Sequence, residues 1–242
     1  MKKIALVGDG RMGKVLESLA READVSVVGM VGYDHAKRLS EIPGIGTADC
    51  ALDFSYPGNL QPLMEDAKAL RLPLVIGTTG LSEQQGEEIC KAAEILPIVW
   101  ADNFSMGVTV LLRLARQAAA ALPSYDIELT ETHHRMKEDA PSGTAKALLR
   151  AVDPEKKHPL LFGREGRPGS RGREIGVHSL RGGTVAGEHR LQFFGPLEEL
   201  ELRHRADSRE VFARGAMRAA EFVCTAAPGL YTMEDVLFRR EA

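Results

Sequence analysis

The first hundred residues alternate short apolar runs with stretches of helical periodicity, and this alternation constrains the fold more than any other feature. Ser82 with Gln85 resembles a capping box that opens one of the helical stretches. Buried strands between amphipathic helices predict a parallel sheet covered on both faces, in a doubly wound α/β fold. Five runs have the length and continuous apolar character of such strands: residues 2–7, 25–31, 50–54, 74–76 and 97–100.

The pattern changes after about residue 103. A long apolar helix is predicted over residues 107–122, and residues 126–133 alternate apolar with polar side chains, which indicates an antiparallel strand with one wet face. We interpret the Gly-, Pro- and Arg-rich stretch 163–173 as a mobile loop, and we expect Ser208 to cap a last long helix. Three more strand-like runs lie between them, at residues 174–180, 188–194 and 197–204. This half is therefore predicted to be a second α+β domain with an open mixed sheet.

Composition and charge exclude several classes of function. The formal net charge of −3 lacks the basic excess that is typical of nucleic-acid-binding proteins. No apolar run approaches the roughly 18 residues that a membrane span needs, and the run after Lys2 and Lys3 is too short for a signal peptide. Cys50, Cys90 and Cys224 lie far apart, which argues against a disulfide framework and a zinc cluster. We expect a cytoplasmic protein with neither nucleic-acid nor membrane partners.

A glycine motif follows the first predicted strand and opens the first predicted helix. Glycines at these positions let the backbone turn tightly and approach a pyrophosphate, whose charge then meets the positive end of the helix. Asp34 lies 21 residues after the last glycine, where an acid can accept hydrogen bonds from ribose hydroxyls. Glycine turns also occur in proteins that bind no nucleotide, but the strand, the helix and the acid together favour a Rossmann-like dinucleotide site. The motif consists of Gly8, Asp9, Gly10, Arg11, Met12 and Gly13.

Two later loops are candidates for the rest of this cofactor site. Gly77, Thr78 and Thr79 follow the fourth predicted strand. The segment Ala101, Asp102, Asn103 and Phe104 follows the fifth. Loops at the carboxyl ends of parallel strands form the ligand crevice of a doubly wound sheet, although the same residue types also make ordinary turns. The choice between NADH and NADPH stays open, because the bases His35, Lys37 and Arg38 lie near Asp34.

Residues 131–145 form the densest polar cluster, ETHHRMKEDAPSGTA. Histidines His133 and His134 titrate near neutrality and can deliver a proton, and Lys137 supplies a positive charge or a second donor. Amides at the predicted helix start, over Ser142, Gly143 and Thr144, suit a carboxylate or phosphate. The cluster predicts a site for an anionic substrate that is protonated during reaction. No metal is expected, because the two adjacent histidines point opposite ways on a strand and no third histidine is evidently near.

At this cluster the sequence resembles the active-site signature of the 4-hydroxy-tetrahydrodipicolinate reductase family, long called dihydrodipicolinate reductases. The string HHRMKEDAPSGTA is highly specific, whereas the glycine loop alone is not. The similarity extends over nearly the whole chain. It includes DFS at 53–55, GTTG at 77–80, NFSMG at 103–107, GVHSLRGG at 176–183, GEH at 187–189 and HRADSREVFARG at 204–215.

The resemblance implies hydride transfer from NADH or NADPH to a cyclic dicarboxylated imine on the diaminopimelate route to lysine. It also implies that His133 is the proton donor and acceptor, that Lys137 donates a proton and steadies negative charge, and that His134 contacts substrate. Gly143 and Thr144, beside Ser142, would hold one carboxylate. The implied organisation is a dinucleotide-binding domain over residues 1–103, a substrate-binding and oligomerisation domain over 104–208 and a returning C-terminal segment over 209–242. The implied assembly is a homotetramer built through the second domain's sheet.

Three departures from the family pattern concern the cofactor. The glycine loop is one residue shorter than in many members, Tyr33-Asp34-His35 lacks the acid-then-arginine pair of some members, and Asp102 stands where a small residue is common. Two alternative functions share the glycine loop: another two-domain NAD(P)-dependent dehydrogenase, of the aspartate or homoserine type, and a non-catalytic NAD(H)-sensing protein. Neither needs His133, Lys137 and the helix start together.

Overall fold

The computed structural model describes residues 2–32 and 38–239, which form two compact units. The first unit comprises Met1–Met106 and Glu210–Ala242, and the second comprises Gly107–Arg209. The strands are β1 (Lys3–Val7), β2 (Ser26–Val31), β3 (Cys50–Asp53), β4 (Leu74–Ile76), β5 (Pro97–Trp100), β6 (Asp126–His133), β7 (Leu160–Leu161), β8 (Ile175–Arg181), β9 (Gly187–Phe194), β10 (Glu199–Ala206) and β11 (Gly229–Tyr231). The helices are α1 (Arg11–Glu22), α2 (Leu60–Leu70), α3 (Glu83–Ala93), α4 (Met106–Ala121), α5 (Gly143–Val152), α6 (Glu210–Val223) and α7 (Met233–Phe238).

The first unit is built on a six-stranded parallel sheet in the order β11-β5-β4-β3-β1-β2. Successive residues of β1 face opposite sides, so that Ala5 packs with α2 and α3 while Ile4 and Leu6 pack with α1, α6 and α7. Both faces are therefore covered, and the predicted Rossmann-like doubly wound sheet is confirmed. Among residues 2–32 and 38–239, no helix has the length and apolar character that crossing a membrane requires.

The second unit contains a mixed five-stranded sheet in the order β10-β9-β6-β8-β7. The central strand β6 pairs antiparallel with β9, as its alternation predicts, but pairs parallel with β8, which the alternation does not predict. Leu129 and Leu191 pack on one face of the sheet against Leu111 of α4 and Leu148 of α5. The predicted second domain with a mixed sheet is confirmed, and β7 is a short strand that the sequence does not reveal.

The stretch interpreted as a mobile loop, residues 163–173, contains neither helix nor strand but is tied to β6. The guanidinium of Arg171 donates to the backbone oxygens of Ile127 at 3.0 Å and Glu174 at 2.7 Å, and it pairs with the carboxylate of Glu128. Arg164 pairs with Glu128 at 2.9 Å as well. These contacts anchor both ends of the stretch within its own unit.

Candidate active site

The glycine loop between β1 and α1 is shaped for close approach by a ligand. Gly8 has a φ of +104°, which favours glycine, and its N–H donates to the oxygen of Val31 at 2.9 Å. A Cβ at Gly13 would overlap the Gly8 oxygen, whereas a Cβ at Gly10 would have no atom within 4 Å. No side chain caps the N-terminus of α1, and its first turn has no acidic residue. The loop therefore leaves space for an anion at the positive end of α1.

The remaining predicted residues of this loop are accessible, and Asp34 lies outside the described residues. Asp9 and Arg11 are exposed, while Met12 is half-buried against the core.

A cavity at the carboxyl ends of β1 and β2 is lined by Val7, Val31, Arg38, Leu39, Asn59, Pro62 and Leu63. The guanidinium of Arg38 pairs there with Asp66 at 2.8 Å and Glu65 at 2.9 Å. This arginine is already neutralised by two carboxylates.

A buried carboxylate holds the loop after β4. Asp53 accepts hydrogen bonds from the hydroxyls of Ser55, at 2.5 Å, and of Thr78, at 2.7 Å. Burial raises the pKa of Asp53, and these hydrogen bonds counteract part of that rise. The Thr78 hydroxyl is therefore engaged in a hydrogen bond within the protein. Thr79 is exposed, and Gly77 lies against the ring of Phe54.

The backbone of the segment after β5 is held by a side chain of the same segment. The Asn103 side-chain oxygen accepts a hydrogen bond from the Ser105 N–H at 2.8 Å. Phe104 is buried, and its ring centroid lies 5.3 Å from that of Phe54. Ala101 is half-buried and Asp102 is exposed. The three predicted loops thus all follow carboxyl ends of strands in the parallel sheet, where such folds bind ligands.

His133 ends β6 and is nearly buried, with 11% of its side chain exposed. Its Nδ1 atom hydrogen-bonds the carboxylate of Glu131, which lies two residues earlier on the same strand face and is fully buried. Arg181 of β8 donates to both oxygens of that carboxylate, at 3.0 and 2.8 Å. Burial alone raises the pKa of Glu131, but the hydrogen bonds from His133 and Arg181 outweigh it and lower the pKa to about 2. The carboxylate is therefore ionised.

His189 of β9 packs against the ring of His133. The two rings meet edge to face with centroids 5.2 Å apart, and Nε2 of His189 lies 2.9 Å from the Ser142 hydroxyl oxygen. Burial, reinforced by the charge of His133, lowers the pKa of His189 to about 4. His189 is accordingly neutral near pH 7.

The loop after β6 carries the predicted lysine and second histidine. The Lys137 ammonium pairs with Asp139 at 2.6 Å, and 21% of its side chain is exposed. Arg209 donates to Nε2 of His134 at 3.1 Å. Desolvation and the Arg209 charge lower the pKa of His134, which favours its neutral form. The structure therefore brings Lys137 and His134 to the same end of β6 as His133.

The predicted helix start is the N-terminus of α5. The Ser142 hydroxyl accepts a hydrogen bond from the Ala145 N–H at 3.1 Å, so Ser142 is the N-cap. Ser142 is buried, whereas Gly143 is exposed and Thr144 is half-buried. The amides near Gly143 and Thr144 are the ones placed to meet an anion from solvent.

Glu131, His133 and His189 form a group that could hold a metal ion, since each offers a ligand atom within 4.8 Å of the others. The expectation that no third histidine lies near His133 is wrong, because antiparallel pairing places His189 opposite Glu131. Arg181 already binds the Glu131 carboxylate, and its positive charge opposes that of a metal ion there. Hydrogen bonding to Arg181 accounts for this carboxylate without a metal.

The sequence alone does not indicate a role for Glu131, Arg181 or His189. Strand periodicity could have found Glu131, because it shares a face with His133 two residues later. Arg181 and His189 lie 48 and 56 residues beyond His133, and only the pairing register of β8 and β9 brings them to it.

Both halves of the chain match models of one protein family. Residues 2–104 match the dihydrodipicolinate reductase N-terminus and residues 107–237 match the dihydrodipicolinate reductase C-terminus. The 4-hydroxy-tetrahydrodipicolinate reductase of Akkermansia muciniphila is 46% identical over 234 residues, covering 94% of each chain. That of Caldanaerobacter subterraneus subsp. tengcongensis is 41% identical over 244 residues, covering 95% of each. A dipicolinate-bound dihydrodipicolinate reductase from Paenisporosarcina sp. TG-14 has a TM-score of 0.80 and 25% identity, covering 98% of this chain and 100% of that one.

Proposed function

This chain belongs to the dihydrodipicolinate reductase family, and we infer that it is an oxidoreductase that reduces 4-hydroxy-tetrahydrodipicolinate with NADH or NADPH. Its product, tetrahydrodipicolinate, continues along the diaminopimelate route to lysine. The observation that carries the assignment is the match of both halves of the chain to the two models of this family. The cluster around His133 supplies the chemistry that this reaction needs.

The reaction adds a hydride to one carbon of the conjugated imine dihydrodipicolinate, which forms when the 4-hydroxyl leaves as water. The electron density that remains is captured by a proton on a neighbouring atom. His133 donates this proton, because it is the titratable side chain held nearly buried at the end of β6. Lys137 carries a positive charge in the same unit and stabilises the negative charge that develops. Its ammonium group can also donate a proton.

The substrate is a small dicarboxylate, and the start of α5 binds one of its carboxylates. The dipicolinate held by the similar Paenisporosarcina reductase is also a dicarboxylate. Gly143 and Thr144 supply amides at the positive end of α5, and Ser142 fixes that end by capping it. His134 contacts the substrate through its half-buried ring.

The first unit binds the nicotinamide cofactor, which supplies the hydride when bound. The open backbone at Gly10 and the uncapped start of α1 fit a pyrophosphate. Arg11 and Met12 complete that loop, and Asp34 binds the adenosine ribose. The nicotinamide half is held by the two later loops, which comprise Gly77, Thr78, Thr79, Ala101, Asp102, Asn103 and Phe104. No metal takes part.

Gly10→Ala is expected to weaken NADH binding at least tenfold, or about 1.4 kcal/mol, while the melting temperature falls by no more than a few degrees. A Cβ at residue 10 meets no protein atom within 4 Å, so only a ligand against this backbone is displaced by it. Calorimetric titration with NADH and a thermal melt measure the two quantities. Gly46→Ala is the matched control, because a Cβ there also meets nothing. Equal NADH affinity in both variants would place the pyrophosphate elsewhere.

NADH is proposed as the preferred cofactor. Arg38 lines the cavity at the ends of β1 and β2, but its charge is taken up by Asp66 and Glu65 rather than left for a 2′-phosphate. Asp34→Ala is expected to weaken NADH binding about tenfold or more, since it removes a charged hydrogen-bond acceptor, while NADPH loses less. Titration of wild type and variant with both cofactors measures this. Equal losses for the two cofactors contradict a ribose-binding role for Asp34.

The second unit's sheet is proposed to join four copies of the chain. Its face opposite α4 and α5 exposes 52% of Leu180 and 37% of Phe194, which a partner can cover. Multi-angle light scattering is expected to give the mass of four chains. A monomer over micromolar concentrations contradicts the tetramer.

The reductase assignment is tested by following reduced-nicotinamide absorbance while the preceding synthase makes the substrate from pyruvate and aspartate semialdehyde. Oxidation that requires the synthase product supports the assignment, and parallel NADH and NADPH rates give the preference. No oxidation despite demonstrated NADH binding favours a different dehydrogenase or an NAD(H) sensor.

A further inference from the structure

The carboxylate of Glu131 joins three separate parts of the second unit. It accepts from the Nδ1 atom of His133 and from both terminal nitrogens of Arg181. It also accepts from the Ser142 N–H, at 3.3 Å, at the N-cap of α5. These bonds satisfy a fully buried charge, and they link the end of β6 to β8 and to the helix start.

The bond between Glu131 and His133 determines which histidine nitrogen is available for reaction. An ionised carboxylate can only accept hydrogen bonds, so Nδ1 of His133 must carry a proton. Nε2 is then the nitrogen that gains and loses the exchangeable proton. A Cβ at Gly187 would lie 3.1 Å from this Nε2, so the absence of a side chain at residue 187 keeps that edge of the ring open.

Arg181 extends the same network into the loop that carries Lys137. Its guanidinium donates to the backbone oxygens of Lys137 at 3.3 Å and of Asp139 at 2.7 Å, besides the Glu131 carboxylate. One planar side chain therefore contacts both the group that orients His133 and the backbone that presents Lys137. Its two parallel bonds to Glu131 restrict the orientation of the carboxylate more than a single bond does.

We propose that Glu131 and Arg181 are a positioning pair for the proton donor. Glu131 holds His133 with the exchangeable proton on Nε2, and Arg181 fixes the carboxylate and the backbone after β6 in one geometry. This inference rests on the proposed role of His133 in the reductase reaction. Neither residue of the pair is itself a catalytic residue, because each acts through its contacts with His133 or with the Lys137 loop.

The charges around His133 come from several elements. Glu131 is on its own strand, Arg181 is on β8, His189 is on β9, and His134 and Lys137 follow β6. Glu131 contributes the negative charge in contact with the His133 ring. Removing this carboxylate is therefore expected to free the His133 ring to adopt either tautomer.

Glu131→Gln tests the pair by kinetics. The expected result is a kcat lowered about 10–100-fold, with NADH affinity unchanged. Glu131→Asp, which keeps the carboxylate, is expected to restore part of the lost kcat.

Glu128→Gln is the matched control. Glu128 lies on the same strand and also joins a histidine, His178 at 2.8 Å, to an arginine, Arg171. It faces the side of the sheet that is proposed to join the copies of the chain, so light scattering is used first to show that the Glu128→Gln assembly is intact. With the assembly intact, kcat is expected to be unchanged. If Glu131→Gln lowers kcat no more than Glu128→Gln does, the positioning role is overturned.

Nuclear magnetic resonance of ¹⁵N-histidine-labelled protein gives a readout that does not depend on activity. The His133 signals are identified by their loss in His133→Gln. The wild type is expected to show protonated Nδ1 in the neutral ring, and Glu131→Gln is expected to mix the two tautomers. This result stands even if the chain reduces a different substrate. A wild-type ring protonated only on Nε2, or the same tautomer in both proteins, overturns the proposal.

Glu131→Gln leaves the Arg181 charge without its partner, and this can impair folding. The double variant Glu131→Gln/Arg181→Met removes both charges and keeps most of the side-chain volume. It is expected to show the same mixed tautomers and lowered kcat. The single variant Arg181→Met is measured as well. Because the two residues act as a unit, the fold loss of kcat in the double variant is expected to be smaller than the product of the fold losses in Glu131→Gln and Arg181→Met. Losses that multiply independently contradict a pair.

Discussion

Replacing His133 with glutamine is expected to lower kcat by about 10²–10⁴-fold while the dissociation constant for NADH stays unchanged. Glutamine retains hydrogen-bonding capacity toward Glu131 but does not titrate, so the variant lacks the proton donor rather than its support. The residues proposed to bind the cofactor belong to the other compact unit. Steady-state kinetics and calorimetric titration with NADH measure the two quantities.

His158→Gln is the matched control for this substitution. His158 belongs to the same unit and also faces a carboxylate, with its Nδ1 atom 3.4 Å from Asp153. Its substitution is expected to leave kcat within about twofold of wild type, because surface changes away from the site alter stability by only about 0.5 kcal/mol. Turnover by His133→Gln at the rate of His158→Gln would remove His133 from the mechanism.

The parts of the fold that the sequence predicts best are those with local causes. The bounds of β4 and β5 agree with their apolar runs, and the capping box of α3 forms with bonds of 2.9 and 3.2 Å between Ser82 and Gln85. Each of these features depends on neighbouring residues alone. Periodicity likewise predicts α4, which begins one residue earlier than expected, at Met106.

The full set of strand partners could not be predicted in the same way. Alternation along β6 predicts an antiparallel partner, which β9 is, but it does not indicate the parallel pairing with β8 or the register of either pair. The parallel pairing with β8 puts Arg181 beside His133, and the antiparallel pairing with β9 puts His189 opposite Glu131. The candidate residues within 131–145 could therefore be predicted from the sequence, whereas the groups that orient them could not be predicted.

The charges near His133 in the second unit fit an anionic substrate. Lys137, Arg181 and Arg209 are cationic, and the two carboxylates near them are already paired with Arg181 and Lys137. His134 and His189 both have lowered pKa values, so neither competes with the donor for protons near pH 7. These two carboxylates do not fully balance the three cations, and a carboxylate of the substrate adds negative charge there.

Lys137→Met is expected to lower kcat about 10²–10³-fold, which is the loss that follows removal of one group stabilising developing charge. Methionine keeps most of the side-chain volume and removes the charge. The ammonium now pairs with Asp139, which is 55% exposed, and exposed pairs contribute only about 0–1 kcal/mol to stability. The expected rate loss corresponds to about 2.7–4 kcal/mol. The lost turnover is therefore too large to come from the ion pair.

Lys157→Met separates the effect of losing an ion pair from the effect of losing a positive charge near the substrate. Lys157 also pairs at 2.6 Å with an acid two residues away, Glu155, but it lies after α5 and away from the residues proposed to bind substrate. Both variants are expected to melt within a few degrees of wild type, and only Lys137→Met to lose turnover. If the two variants lose turnover equally, the effect of Lys137 is that of any surface charge. If Lys137→Met raises KM with kcat unchanged, Lys137 binds the substrate's carboxylate and leaves proton donation and charge stabilisation to His133.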